Sequence, residues 1–425
     1  MHKKSATFCI HSFGCKVNQY EGQLLREELQ LRGLSEAGAA DWHIVNGCVV
    51  TQTAQTECRR LVQRLRSRYP QSRIVITGCY GRILENSANE GKEGVVIIPQ
   101  SRKATVASIV ASGCARGDIT ASDPYIFRTA CGLKGHSRAF VKIQDGCDQW
   151  CSYCIVPVIR GASRSKPLAS IINEVKGMGM SGFKEIVLAG IDLGAWGKDL
   201  SPKENLAGLA QELRLIKGIE RIRLSSLEMN HLSSDLIAEF KKNSKLCPQV
   251  HIPLQSGDDE ILKRMNRSYQ SRDFLNAIAA LRQAVPHIAV TTDIMVGFPA
   301  ETEQQFQNTL AVCREAGFVR AHIFPYSSRP GTAAAKWGRQ VTPQVMRQRS
   351  RQIQAVVDET NFAYRRRLLH TTQQVLAEEQ KGKHWTGYTD TYIPVTMAGS
   401  GTFSGSIVSV YITKVSARAT EGKIV

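Results

Sequence analysis

Residues 146–154 read GCDQWCSYC, with Cys147, Cys151 and Cys154 inside eight consecutive positions. Thiols spaced this closely can wrap one metal centre from a single loop. A structural zinc site takes four protein ligands, and no fourth Cys or His stands close by. A four-iron cubane suits three thiolates better, because it leaves one iron open to a further ligand. The stretch follows directly on AFVKIQDG (139–146), which reads as a β-strand. Loops at the carboxyl ends of parallel strands are where α/β folds place their chemistry.

Further along the chain the same unit recurs. EIVLAGID (185–192), IRLSSLE (222–228), VHIPLQSG (250–257), AVTTDIMVGFP (289–299) and AHIFPYSS (321–328) are strand candidates. Helical stretches such as Leu168–Met178 and Glu301–Ala316 separate them. With the strand at 139–146 these make six βα units, which predicts a partial (βα) barrel over 135–370. A long helix, Thr342–Leu369, is expected to close it along the outside.

Upstream, residues 1–125 alternate strand and helix as well. ATFCIHSFG (6–14), DWHIVNGC (41–48), SRIVITGC (72–79) and GVVIIPQ (94–100) are strands, and the intervening helices imply a doubly wound parallel sheet. Three of these strands end in Gly-Cys: Gly14-Cys15, Gly47-Cys48 and Gly78-Cys79. Strand ends of an open parallel sheet form its ligand crevice. Each Cys is expected on the first loop residue after its strand, so three thiols converge although 33 and 31 residues separate them. Downstream, residues 371–425 alternate apolar and polar residues between Gly, Thr and Ser turns, which predicts a small antiparallel β-barrel.

Composition narrows the class. No apolar run approaches the roughly 18 residues of a membrane helix, and the start MHKKSATFCIHSFGC has no apolar signal core, so cytoplasm is the expected location, with no membrane partner. Twelve cysteines in such a chain favour metal or redox chemistry over disulfides. Cys9, Cys247 and Cys313 are expected as small buried hydrophobes. The 55 Lys+Arg against 37 Asp+Glu give +18, which suits a polyanionic partner. From Phe318 to Arg367 ten Lys/Arg face two Asp/Glu, and the run ends in Arg365, Arg366 and Arg367, candidate phosphate contacts.

The motifs GCKVNQYE (14–21), GCDQWCSYCIVPVIRG (146–161), HIPLQSGDDEILKRMNRSY (251–269), TTDIMVGFPAET (291–302) and HIFPYSSRPGT (322–332) carry a family resemblance. Together they resemble the methylthiotransferase branch of the radical S-adenosylmethionine superfamily, over essentially the whole chain. Within that branch, Lys16 and Val17 resemble the group acting on threonylcarbamoyladenosine in transfer RNA. The resemblance implies two 4Fe–4S clusters, one on Cys147, Cys151 and Cys154 and an auxiliary one on Cys15, Cys48 and Cys79. It implies S-adenosylmethionine as cofactor, with Tyr153 near its adenine and Gln255 and Asp293 as further contacts. The carboxy-terminal barrel would be a TRAM domain. Where many radical enzymes carry Gly-Gly-Glu, this chain has Leu188-Ala189-Gly190-Ile191-Asp192, which lacks the Glu that grips the cofactor's amine.

The implied reaction replaces the unactivated C2–H of adenine with a methylthio group, next to the anticodon of transfer RNA. Cleavage of S-adenosylmethionine supplies a radical for that bond, sulfur at the auxiliary cluster joins C2, and a second S-adenosylmethionine supplies the methyl group. No side chain need act as a proton-transfer catalyst, so none is assigned. The reaction also needs a sulfur donor and an electron donor. Lys16 follows Cys15, so it is expected beside the transferred sulfur, where an ammonium could pair with the substrate's carboxylate. Two other readings stay open: the same chemistry on isopentenyl-adenosine or a ribosomal protein, and an iron–sulfur RNA-binding regulator.

Overall fold

A computed structural model describes residues 6–85, 94–113, 128–129 and 136–425. The expected boundaries at 125 and 135 lie outside these residues. The first unit runs β1 (Thr7–Ser12), α1 (Lys16–Leu31), β2 (Ser35–Glu36), β3 (Trp42–Gly47), α2 (Gln52–Arg68), β4 (Arg73–Thr77), α3 (Gly78–Leu84), β5 (Val95–Ile97) and α4 (Val106–Ser112). Its sheet is parallel in the order β2-β1-β3-β4-β5, so the winding reverses between β1 and β3. The crevice of such a sheet opens at that reversal. Phe8 and Ile10 pack under α1 and α4 with Leu25, Leu29, Val106 and Val110, while Val45, Ile74 and Ile76 meet α2 through Cys58 and Leu65 on the other face.

The second unit begins with β6 (Arg138–Lys142), then a two-residue ladder of β7 (Gln144–Asp145) with β8 (Arg164–Ser165), which encloses α5 (Val156–Arg160). It continues through α6 (Leu168–Met180), β9 (Glu185–Ala189), α7 (Leu206–Arg214), β10 (Arg221–Leu224), α8 (Ser234–Lys242), β11 (Gln249–His251), α9 (Asp259–Arg264), α10 (Ser271–Ala284), β12 (Ala289–Val296), α11 (Glu303–Ala316), β13 (Arg320–Pro325) and α12 (Pro343–Arg366). Strands β6, β9 and β10 pair in parallel, as do β11, β12 and β13, and the bridges Ile222↔Leu246 and Ser226↔His251 join the two sheets. This is the expected six-strand partial barrel. Alternation along the strands decides what fills it. Ala139, Val141, Ile186, Leu188, Ile222 and Leu224 face the outer helices. Phe140 and Val187, one position out of phase, pack instead on Tyr20 and Leu24 of α1. The first unit therefore docks its own helix against the inner face of the barrel.

The third unit is a closed barrel of β14 (Thr372–Lys381), β15 (His384–Thr389), β16 (Pro394–Ala398), β17 (Ile407–Val415) and β18 (Thr420–Ile424). It is mixed rather than antiparallel, because β16 and β18 pair in parallel. Alternation identifies inward residues such as Trp385, Met397 and Ile412 but carries no strand direction. The unit meets the amino ends of β6, β9 and β10. Arg138 stacks 5.1 Å from the rings of Tyr388 and Tyr392, and Arg223 donates to the carbonyls of Thr389 and Asp390 at 3.3 and 2.8 Å. No helix among the described residues is long and apolar enough to cross a membrane.

Candidate active site

Short-range geometry builds the loop of Cys147, Cys151 and Cys154. Gly146 has φ 77°, and a side chain there would begin 1.9 Å from the carbonyl of Ala162, so only glycine closes this ladder. Gln144 ties the loop down by donating from Nε2 to the carbonyl of Gly146 (2.8 Å) and accepting from the amide of Asp192 (2.8 Å). Ser152 donates its amide to Met265 and its hydroxyl to Arg264, at 3.1 and 2.8 Å. Arg267 approaches Cys151 Sγ at 3.5 Å while pairing with Glu228. Burial pushes the Cys147 and Cys154 thiols up to about 12. Left alone they stay protonated, whereas iron ligation ionises them. This donor set fits a cluster.

Tyr153 is half-buried beside Met265, Met295, Phe298 and Tyr326, and burial raises its phenol well above the ordinary value. Gln255 is buried with φ 63°. Its backbone is inserted between those of Asp293 and Met295, and its Oε1 has no partner among the described residues. An orphaned buried acceptor beside the strand ends fits a ligand that donates there. Asp293 is held differently: its Oδ1 lies 3.1 Å from His251 Nε2 and 3.2 Å from His322 Nδ1. Burial alone would raise the Asp293 carboxyl, but the hydrogen bonds from the two imidazoles hold it well below the usual range. Neither histidine was singled out from the sequence. The register of β12 on β11 and β13 brings them together from positions 42 and 29 residues from Asp293.

Cys15, Cys48 and Cys79 follow β1, β3 and β4 at one edge of the parallel sheet. Cys15 caps α1 and is exposed, while Cys48 follows β3 and is buried. Cys79 differs from expectation by lying in the first turn of α3 rather than in a loop. Gly14, at φ 85°, explains the close approach, since a side chain there would begin 2.6 Å from Cys48 Sγ. Burial pushes the Cys48 thiol up to about 12 and raises that of Cys79, and charges on the three thiols would act on one another. Two buried thiols beside an exposed third, which would repel one another as bare thiolates, fit a centre whose positive charge ionises them. Cys58, not singled out beforehand, directs its Sγ at the carbonyl of Cys48 (3.7 Å). Cys247 and Cys313 are buried as expected, but Cys9 is only half-buried, beside His11 and His43.

Between the Cys15 end and the third unit lies a cavity of about 190 Å³, lined by Cys15, Lys16, Ser225, His251, Asp293, Arg320, His322 and Tyr392. Lys16 is half-buried and lines it. No ion pair or hydrogen bond reaches the Lys16 ammonium among the described residues, and burial, then Arg138 and Arg223, lower its pKa. Arg365 does not behave as a phosphate contact. It is buried, donating to the carbonyls of Ser416, Ala417 and Ala419 at 2.8–3.1 Å and to Asn361, which fastens α12 to the third unit. Arg366 and Arg367 are exposed.

A partial barrel with this three-thiol loop defines the radical S-adenosylmethionine class, and the superfamily model matches residues 141–313. Such enzymes use a 4Fe–4S cluster and S-adenosylmethionine. A second model, described as uncharacterized protein family UPF0004, matches residues 7–99. Threonylcarbamoyladenosine tRNA methylthiotransferase MtaB of Thermotoga maritima is 35% identical over 93% of this chain and 92% of its own. The enzyme of the same name from Chlamydia pneumoniae is 35% identical over 99% and 98%. The tRNA-2-methylthio-N(6)-dimethylallyladenosine synthase of Clostridium tetani is 33% identical over 99% and 96%. The chain belongs to the radical S-adenosylmethionine methylthiotransferases. Among solved structures, the methyltransferase TsrM of Kitasatospora setae shares the fold, with TM-score 0.56 and 12% identity over 78% of this chain and 77% of its own.

Proposed function

We propose that the chain adds a methylthio group to C2 of N6-threonylcarbamoyladenosine next to the anticodon of transfer RNA. The observation that carries the substrate is the unpartnered Lys16 ammonium in the cavity beside Cys15. Lys16 is half-buried in a cavity where Arg138 and Arg223 crowd it and only the charges of Cys15 and Asp293 act in its favour, so a carboxylate brought to it is stabilised. The threonylcarbamoyl group brings a carboxylate to it, whereas the isopentenyl group brings only an apolar chain and leaves the ammonium bare. Sites built around such a polar pairing reject the analogue that lacks it by roughly 10⁴-fold.

Cys147, Cys151 and Cys154 would hold the cluster that binds S-adenosylmethionine, and Cys15, Cys48 and Cys79 a second cluster. When bound, these groups would supply the radical that removes the C2 hydrogen, the sulfur that replaces it and, from a second S-adenosylmethionine, the methyl group. Tyr153 would flank the cofactor's adenine, Gln255 would accept from a cofactor donor, and Asp293 would take a contact in the orientation its histidines impose. Arg366 and Arg367 would meet backbone phosphates. Nucleoside mass spectrometry of transfer RNA from a deletion strain tests the substrate. Loss of the methylthio form with retention of threonylcarbamoyladenosine is expected, and loss of the isopentenyl product instead would overturn the assignment.

A further inference from the structure

The loop after β13 carries an arginine that none of the roles above uses. Arg329 is 3% exposed, in a turn closed by bonds from the amide and hydroxyl of Thr332 to its carbonyl at 3.1 and 2.8 Å. Its NH1 donates to Gln55 Oε1 (2.8 Å) and Gln52 Oε1 (3.2 Å), in the first turns of the helix that follows Cys48. Its Nε and NH2 are buried, and neither has an acceptor among the described residues. Five residues on, Ala334 donates its amide to the carbonyl of Ser152 in the other cysteine loop (2.8 Å). The segment thus joins the helix that follows Cys48 to the loop of Cys147, Cys151 and Cys154.

A buried guanidinium with two donor nitrogens bare needs an acceptor, since an unsatisfied buried donor keeps its desolvation cost, the more so when charged. The ionisable group that acts on Arg329 is Cys48, opposing the lowering that burial causes. A protonated thiol is a weak acceptor. A cysteinate, or a sulfide beside it, carries negative charge and answers both needs.

We propose that Arg329 is a positioning residue of the auxiliary cluster, donating from Nε and NH2 to the cysteinate of Cys48 or to a cluster sulfide beside it. This rests on the reading that Cys15, Cys48 and Cys79 bind a cluster. Hydrogen bonds to cluster sulfur and nearby charge set reduction potential. Arg329 therefore holds the auxiliary cluster at a higher potential than it would otherwise have, and cluster assembly orders the loop that also braces Ser152.

The test uses the full chain with Cys147, Cys151 and Cys154 all changed to Ala, so that only the auxiliary cluster forms. Iron content and an EPR-monitored redox titration are compared for Arg329, Arg329→Gln and Arg329→Lys. We expect about four irons per chain in the parent, a more negative midpoint in the Gln variant and an intermediate one with Lys. An unmoved midpoint in an iron-replete Gln variant overturns the inference. A parent without iron would instead overturn the cluster reading. Hydrogen exchange of the otherwise unmodified chain covers variants that fail to fold: residues 326–334 should gain protection on reconstitution, and equal exchange with and without iron also overturns the inference.

Discussion

Changing Glu21 to Gln removes one charge and almost no volume from the contact that joins the two cysteine-bearing units. Glu21, on α1, is fully buried. It accepts from Lys103, from Lys142 at 2.6 Å, and from Arg160 at 2.9 Å. Asp145 completes the network by pairing with Lys142 and Arg160 at 2.9 and 2.8 Å. Three buried cations therefore face two carboxylates, with the half-exposed Arg164 3.7 Å from Asp145 at the edge, and the substitution leaves the buried three facing one. Removing one member of a buried ion network costs about 3–5 kcal/mol. At about 2–4 °C per kcal/mol for a unit of this size, the melting point should fall by roughly 6–20 °C. Burial alone would raise the Glu21 carboxyl, but Arg160, Lys103 and Lys142 hold it well below the usual range. Its stabilisation is therefore complete above the unfolded pKa of about 4.3 and is lost as pH falls through the depressed folded value. The gap between parent and variant should stay flat across neutral pH and close only in acid. Glu220→Gln is the control, since its 2.8 Å pair with Lys184 is half-exposed and should be worth under about 1 kcal/mol. Anaerobic scanning calorimetry of the reconstituted chain reads both. A Glu21→Gln shift no larger than the control's would refute this account of the docking.

The two cysteine sets should separate by function. Changing Cys147, Cys151 and Cys154 to Ala should leave about four irons and abolish 5′-deoxyadenosine formation, read by iron assay and chromatography. Changing Cys15, Cys48 and Cys79 should spare cofactor cleavage and stop sulfur insertion; unaltered iron and activity in that variant would refute the second set. Arg366 and Arg367 changed together to Ser should flatten the salt dependence of RNA binding by up to roughly two phosphate equivalents. Arg365→Met should leave that slope unchanged and destabilise the third unit instead, because it removes the bonds to Ser416, Ala417 and Ala419.

Most of the architecture was legible because the strands carry their own alternation: Ile222 and Leu224 face the helices while Arg221 and Arg223 face inward. The Gly-Cys pairs at the ends of β1, β3 and β4 placed Cys15, Cys48 and Cys79 at one edge, because a parallel sheet brings its strand ends together. What failed depended on tertiary partners. Arg365 looks like part of a solvated basic run, yet loose carbonyls of the third unit turn it inward. Glu21 reads as one more polar residue of a helix until Lys142 and Arg160 arrive from 121 and 139 residues away. Strands of two residues, such as β7 and β8, are too short for a period to register. Pairing direction in the last barrel leaves no trace in alternation, so its parallel pair went unforeseen.

The central claim is tested most directly with purified, reconstituted enzyme and two anticodon stem-loop RNAs, one bearing threonylcarbamoyladenosine and one isopentenyl-adenosine. Nucleoside mass spectrometry after reaction with S-adenosylmethionine, reductant and sulfide should find the methylthio product only from the first. Lys16→Met should lower that turnover far more than it lowers RNA affinity, because Lys16 faces the cavity beside Cys15. Methylthiolation of the isopentenyl RNA by the unmodified enzyme, or equal loss of turnover and affinity in the Lys16 variant, would contradict the account.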